Sequence, residues 1–310
     1  MNNISENKLY GLDKYILEII DLFKKNRLPN KILLSGSKGI GKSTLAYHLI
    51  NFIFSINEEH KYDLKNLTFN RDNKSYKLVS NYSHPNFYLI DIKDDKKNID
   101  INQIRQMITY SNKSSFNSKP RFVLIDNIEY LNISSINALL KIIEEPADNL
   151  FFILIHNSNK NILATLKSRC ITFKINLSFD QTIKITNLIL KENLLDLINT
   201  DLINYYNTPG DFIRLINFAK DKKINLKEFT LTSLLTYLIE NAFYKKDIII
   251  KNIIINYIEL YLSNLYKLND NKNNILKIYD YFSKKIDNTN KFNLDNESLF
   301  MEFKSKVLNG

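Results

Sequence analysis

Residues 36–43 read Gly36-Ser37-Lys38-Gly39-Ile40-Gly41-Lys42-Ser43, with Thr44 next. Upstream lies the apolar run Ile32-Leu33-Leu34, and downstream Leu45, Ala46, Leu49, Ile50 and Ile53 recur at helical spacing. A glycine-rich turn from a buried strand into a helix, closing on Lys-Ser, is the pattern of a phosphate-binding loop. Glycines let the backbone wrap a phosphate and point successive N–H groups inward. The helix start adds the positive end of its dipole. In such a loop Lys42 reaches the β- and γ-phosphates and the Ser43 hydroxyl ligates Mg²⁺. Only six glycines occur in 310 residues and three of them crowd here, so an incidental turn is the weaker explanation. Lys42 is expected at an exposed helix start.

Working outward, the first half alternates short β-rich runs with helix-period segments. Phe87-Tyr88-Leu89-Ile90 precedes a helix near Ile101 to Ile108, and Phe122-Val123-Leu124-Ile125 precedes a helix that ends before Pro146. Phe151-Phe152-Ile153-Leu154-Ile155 closes the series. Near-continuous apolar strands separated by helices predict an α/β domain whose parallel sheet is covered on both faces. Residues 55–85 are polar and weakly periodic and read as an insertion or loop. The strand pattern stops near Leu177. No Gly or Pro lies between Asp211 and Asn309, and Leu231, Leu234, Leu235, Leu238 and Ile239 follow three-four spacing, which predicts an all-helical C-terminal region. Boundaries near Leu177 and Lys222 divide the chain into 1–176, 177–222 and 223–310.

Composition narrows the classes. Apolar runs are too short to span a bilayer, and Met1-Asn2-Asn3-Ile4-Ser5-Glu6 lacks the basic-then-apolar design of a secretory signal, so the chain reads as cytoplasmic with no membrane partner. The single cysteine, Cys170, rules out an internal disulfide and any multi-cysteine zinc site, and the four histidines lack metal-ligand spacing. Of the net charge of +10, residues 1–175 carry +8, with 25 basic against 17 acidic side chains. That excess suits an anionic partner such as nucleic acid, and equally suits simple solubility.

Asp126 follows the strand Phe122 to Ile125, at the end that opens onto the ligand crevice of such a sheet. It is the candidate to hold the water shell of Mg²⁺. The next residue is Asn127, whose amide cannot take a proton from an attacking water. Glu129 is close in sequence, but turn geometry is expected to aim it elsewhere. Asn137-Ala138-Leu139-Leu140-Lys141-Ile142-Ile143-Glu144-Glu145-Pro146 reads as an amphipathic helix stopped by proline. Leu166-Lys167-Ser168-Arg169-Cys170 reads as a helix end running into the strand Ile171-Thr172-Phe173.

Taken in order, the phosphate loop, the strand with Asp126, Asn137 to Lys141, Glu144-Glu145-Pro146 and Ser168-Arg169-Cys170 resemble the sliding-clamp loader of bacterial DNA polymerase III. Members of this AAA+ family open the replication clamp and place it on primed DNA. His84-Pro85-Asn86 and the segment Ile101 to Met107 resemble its delta-prime type of subunit, and the likeness covers about residues 10–176. It implies an AAA+ P-loop domain at 1–176, a helical lid at 177–222 and an all-helical, oligomerising collar at 223–310. It implies ATP and Mg²⁺ held by Gly36, Ser37, Lys38, Gly39, Ile40, Gly41, Lys42, Ser43, Thr44 and Asp126, with Ser43 and Asp126 on the metal side. Asn157 falls at the family's first sensor position. Arg214, in Pro209-Gly210-Asp211-Phe212-Ile213-Arg214, falls at the second, although a solvated helix arginine explains it as well. Arg169 matches the arginine that reaches a neighbouring subunit's nucleotide, against the plainer reading of a local surface pair. The implied partners are the other subunits of a hetero-pentamer type of assembly, the sliding clamp and primer-template DNA. Loader subunits often carry a four-cysteine zinc module after the phosphate-loop helix; residues 55–85 contain no cysteine, so no zinc is expected. A self-sufficient AAA+ ATPase acting on DNA, such as a replication initiator or branch-migration motor, is the alternative, and Asn127 argues against it.

Overall fold

The computed structural model describes residues 7–93, 96–113, 119–245, 248–268, 272–292 and 294–309. Met1 to Glu6, read above as lacking a secretory signal, lie outside the described residues. The chain divides into two compact units, 1–181 and 182–310.

In the first unit, five parallel strands form one sheet in the order β2-β3-β4-β1-β5: β1 (Lys31–Gly36), β2 (Phe87–Ile90), β3 (Arg121–Ile125), β4 (Leu150–Asn157) and β5 (Ile171–Lys174). Period-two alternation splits their side chains between two cores. Ile32, Leu34, Phe122, Leu124, Ile153 and Ile155 face one layer with α1 (Asp13–Lys24) and α2 (Lys42–Ser55). Leu33, Val123, Ile125, Phe152 and Leu154 face the other with α4 (Ile101–Ser111) and α5 (Ile133–Glu144), while α3 (Lys74–Ser80) lies between α2 and β2 in sequence. The parallel α/β expectation therefore holds, and the reason is visible in β3, every residue of which is buried.

Local chemistry sets the helix ends. Asp100 and Gln103 form a capping box at the start of α4, and Asn132 caps α5 through the Ser135 N–H. At the other end of α4, the buried Arg121 donates to the carbonyls of Tyr110, Ser111 and Lys113, where a cation also suits the dipole. A short α6 (Ala164–Lys167) leads into β5.

Residues 55–85, expected to be an insertion or loop, carry local structure. Helix α3 forms there, and Asp63 and Thr68 pair as an antiparallel bridge. Tyr62 and Phe69 are buried against α2, with Phe69 stacked on His48 at 3.9 Å and Tyr62 edge-on to Phe52 at 6.0 Å. Glu58 accepts from the Asn73 side chain at 2.7 Å, from the Ser75 N–H at 3.2 Å and from the Ser75 hydroxyl. A few aromatic anchors and one carboxylate thus do what periodic apolar residues do elsewhere.

The second unit is helical: α7 (Phe179–Leu190) begins at the boundary, and α8 (Leu194–Leu197), α9 (Pro209–Lys222), α10 (Leu231–Glu240), α11 (Ile248–Leu268), α12 (Lys272–Phe292) and α13 (Asn296–Phe303) follow. Leu231, Leu234, Leu235, Leu238 and Ile239 are all buried, as their spacing predicts. Helices on both sides of residue 222 share one core, from Leu194 and Phe212 through Leu238 and Ile258 to Phe303. Among the described residues, no helix is long and apolar enough to cross a membrane.

Candidate functional site

Because the strands are parallel, their carboxyl ends lie along one edge of the sheet. Gly36 is in register with Asn157, and Ile90 with Ile125. The phosphate loop, Asp91, Asp126 and Asn157 therefore share that edge, where open α/β sheets bind their ligands.

The loop needs its glycines at specific points. A Cβ on Gly36 would stand 2.3 Å from the Ile175 carbonyl oxygen, so no side chain fits. Gly39 and Gly41 have φ of 89° and 93°, which L residues rarely adopt. Gly41 is the N-cap of α2, with no side-chain cap and no acidic residue in the first turn. The α2 start is thus left open to an anion, unlike the capped α4 and α5. Ser37, Gly39, Ser43 and Thr44 are half-buried around it and Lys38 is exposed, while Ile40 is buried. These residues fit a bound phosphate chain.

Lys42 departs from expectation. It is 6% exposed, and Nζ donates to the carbonyls of Gly36 at 2.8 Å and Ser37 at 2.7 Å. Both acceptors belong to the loop itself, so the ammonium is satisfied within the turn that precedes its helix. Burial lowers its pKa to about 8, against the opposing pull of Asp126 and Glu129.

Asp126 is 8% exposed and hydrogen-bonds Ser43, which joins the two candidate metal-side residues. Burial, and then Asp91, push its pKa up to about 6, while the Asn127 N–H, Ser43 and Lys42 pull it down. A carboxylate that is costly to ionise alone fits a divalent cation nearby. Asp91, not singled out in the sequence, directly follows β2, and its Oδ1 accepts from the Asn127 side chain at 2.8 Å and the Ile92 N–H at 2.7 Å.

Glu129 is the clear correction. Asn127 takes a left-handed conformation (φ 55°, ψ 46°) and starts a 3₁₀ turn over Ile128–Tyr130. The chain doubles back, and Glu129 Oε2 accepts the Asn157 N–H at 3.2 Å. Glu129 faces the site. The signal was the Asn127 residue itself, since asparagine tolerates positive φ better than most residues.

Asn157, beside Gly36 in the sheet, also accepts from the Asn159 N–H through Oδ1 at 3.2 Å. His156 is packed in the same edge, hydrogen-bonded to Ser35 Oγ at 3.1 Å and the Lys160 carbonyl at 2.8 Å. Arg169 follows α6, where its guanidinium pairs with Glu144 at 2.6 Å and donates to the Thr165 carbonyl at 2.9 Å. Both members of that pair are well exposed, at 36% and 50%. Arg214 lies in the second unit, paired with Asp211 at 2.7 Å, and Asp211 also completes the capping box of α9 with Thr208. Among the described residues, no group of three or more His, Cys, Asp or Glu forms a metal-holding cluster.

A family model described as "DNA polymerase III, delta subunit" matches residues 12–178. A DNA polymerase III subunit delta' from Buchnera aphidicola subsp. Schizaphis graminum is 26% identical over 87% of this chain and 83% of its own length. Another, from Buchnera aphidicola subsp. Baizongia pistaciae, is 30% identical over 47% of this chain, and that match spans only 44% of the relative. A crystal structure of a DNA polymerase III gamma subunit-related protein from Thermotoga maritima shares the fold at a TM-score of 0.50 and 16% identity, covering 92% of this chain and 96% of that one. With the family model aligned to more than half of its residues, the chain belongs to the delta-prime family of DNA polymerase III clamp-loader proteins, with the AAA+ fold.

Proposed function

We propose that this chain is a delta-prime-type subunit of a replicative sliding-clamp loader. It binds ATP with Mg²⁺ through residues 36–44 and Asp126, and lends Arg169 to a neighbouring subunit's nucleotide during loading of the clamp onto primed DNA. The observation that carries the reading is the open, glycine-built α2 start in a chain of this family. In this reading Asn157 and Arg214 sense the phosphates, 177–222 acts as the lid, and 223–310 forms the collar that joins the other subunits.

The roles follow from the side chains. Lys42 leaves the Gly36 and Ser37 carbonyls for the phosphates, exchanging two neutral acceptors for charged ones. Ser43 and Asp126, hydrogen-bonded to each other, would hold the cation, which would neutralise charge on the phosphate oxygens. A guanidinium suits the role of Arg169 because it stays charged and pairs two N–H groups with phosphate oxygens.

Lys42→Ala tests the site. A hydrogen bond to a charged group contributes about 1.5–3 kcal/mol, so ATP affinity should fall roughly tenfold to a hundredfold. Equilibrium binding of a fluorescent ATP analogue measures it, with thermal melting to confirm that the variant is folded. Equal affinity in the two chains would remove the phosphate-loop assignment.

A further inference from the structure

Strand β4 outruns one of its neighbours. The last pair between β3 and β4 is Ile125 with Leu154, so Ile155, His156 and Asn157 extend past the end of β3. On the other side, β4 stays beside β1 as far as Asn157. Successive N–H groups of a strand face opposite sides, and one left without an acceptor is costly. The Ser158 N–H turns toward β1 and donates to the Gly36 carbonyl at 3.0 Å. The Asn157 N–H turns the other way, beyond the end of β3, where Glu129 Oε2 accepts it at 3.2 Å.

Two consecutive amides thus join the turn after β3 to the first residue of the phosphate loop. The Gly36 carbonyl holds two donors, the Ser158 N–H and, at 2.8 Å, Lys42 Nζ. Residues 157–160 close on themselves, with the Lys160 N–H on the Asn157 carbonyl at 2.9 Å and the Asn159 N–H on Asn157 Oδ1 at 3.2 Å. Lys160 Nζ then reaches back to the Tyr130 hydroxyl at 2.7 Å. The turn after β3 and the turn after β4 are tied twice, and Glu129 makes the tie that lies next to Gly36.

We infer that Glu129 is a positioning residue of the nucleotide site: it holds Asn157, and through Ser158 the Gly36 carbonyl, so that the phosphate loop keeps its shape when Lys42 leaves that carbonyl for the phosphates. The inference rests on the reading that residues 36–44 bind ATP. The role needs no contact between Glu129 and the nucleotide, and no bond of the nucleotide is made or broken. A carboxylate acting near phosphates through its charge alone would oppose binding. The sign of the effect therefore separates support of the loop from bare electrostatics.

Glu129→Ala and Glu129→Gln are compared with the original full chain. Alanine removes acceptor and charge together, whereas glutamine keeps an acceptor oxygen for the Asn157 N–H and removes only the charge. Equilibrium affinity for ATP and for ADP is measured, with thermal melting and hydrogen exchange at the Asn157 and Ser158 amides. Alanine should weaken both nucleotides about fivefold or more, the low end for coupled sites, and speed exchange at both amides. Glutamine should bind at least as tightly as the original chain, with exchange unchanged. Glu129→Asp keeps the charge but falls one methylene short of Asn157, so it should weaken binding too, and it supplies the reading if the alanine chain does not fold. Unchanged or tighter binding by the alanine chain overturns the inference, as does weaker binding without faster Ser158 exchange. A glutamine chain as weak as the alanine chain traces the effect to charge and overturns it as well. No nucleotide binding by the original chain removes the site reading and this inference with it.

Discussion

Asp126 sits buried beside Asp91, so ionising it costs the folded chain free energy that the unfolded chain does not lose. Its folded pKa of about 6 lies above the 3.8 of a free carboxyl. The proton is therefore bound more tightly in the folded state, and the resulting stability is present below pH 4 and lost as pH rises through 6. Asp126→Asn should consequently melt higher than the original chain at pH 7.5, by up to about 3 kcal/mol from the two-unit shift, and should match it near pH 3.5. The same variant should lose Mg²⁺-dependent tightening of ATP binding. Calorimetry at the two pH values, paired with ATP titrations with and without Mg²⁺, checks both halves. Lower stability of the variant at pH 7.5 would mean that the carboxylate is not strained. Lys42 runs the opposite way: its depressed pKa of about 8 means stability present above the free value of 10.5 and lost as pH falls through 8. Between pH 6 and 8 Lys42 and Asp126 are both charged although burial disfavours it, and a phosphate chain with a cation would relieve both.

Glu58 ties the start of helix α3 to the segment before it. Glu58→Ala removes the acceptor for the Asn73 amide and for both Ser75 donors. Hydrogen bonds to a charged group contribute about 1.5–3 kcal/mol, and a loss of about 2 kcal/mol in urea unfolding is expected, with faster trypsin cleavage at the exposed Lys61, Lys65 and Arg71. An unchanged digest would place the anchoring in the aromatic contacts alone. This segment was illegible in the sequence because its order comes from side chains that meet across distance, such as Phe69 with His48, and not from any period. The strands were legible for the converse reason: β1, β3 and β4 are buried on both faces, so each is apolar almost throughout. Helix α1 carries Ile16, Ile19 and Ile20 at helical spacing, a signal that the strand pattern overshadowed. The loop glycines, Ser43 and Asp126 were readable from residue type and order. Glu129 and Asp91 were hidden, because their direction hangs on the left-handed turn at Asn127.

At the scale of the whole molecule, the proposed role of Arg169 can be tested against its local pairing with Glu144. Its present partner Glu144 is an exposed carboxylate, and such pairs contribute about 0–1 kcal/mol. A neighbour's phosphates can therefore draw the guanidinium away at little cost. Arg169→Ala should leave this chain's own ATP affinity unchanged and reduce clamp-stimulated ATP turnover by the reconstituted loader. Arginine fingers contribute about a thousandfold or more at one site, but a loader has several sites, so partial loss is the expected reading. Unchanged turnover and clamp loading would make Arg169 a local structural residue.

The two units keep separate cores, one set drawn from Leu9 to Ile175 and the other from Leu194 to Phe303. Substitutions accepted in one interior need no answering change in the other, so the halves are free to drift at different speeds. The first sets single glycines and charges along one sheet edge, where a substitution meets backbone or a left-handed φ. The second asks only for apolar side chains on helical faces, which many spellings satisfy. The match to the family model ends at residue 178, just short of the junction at 181.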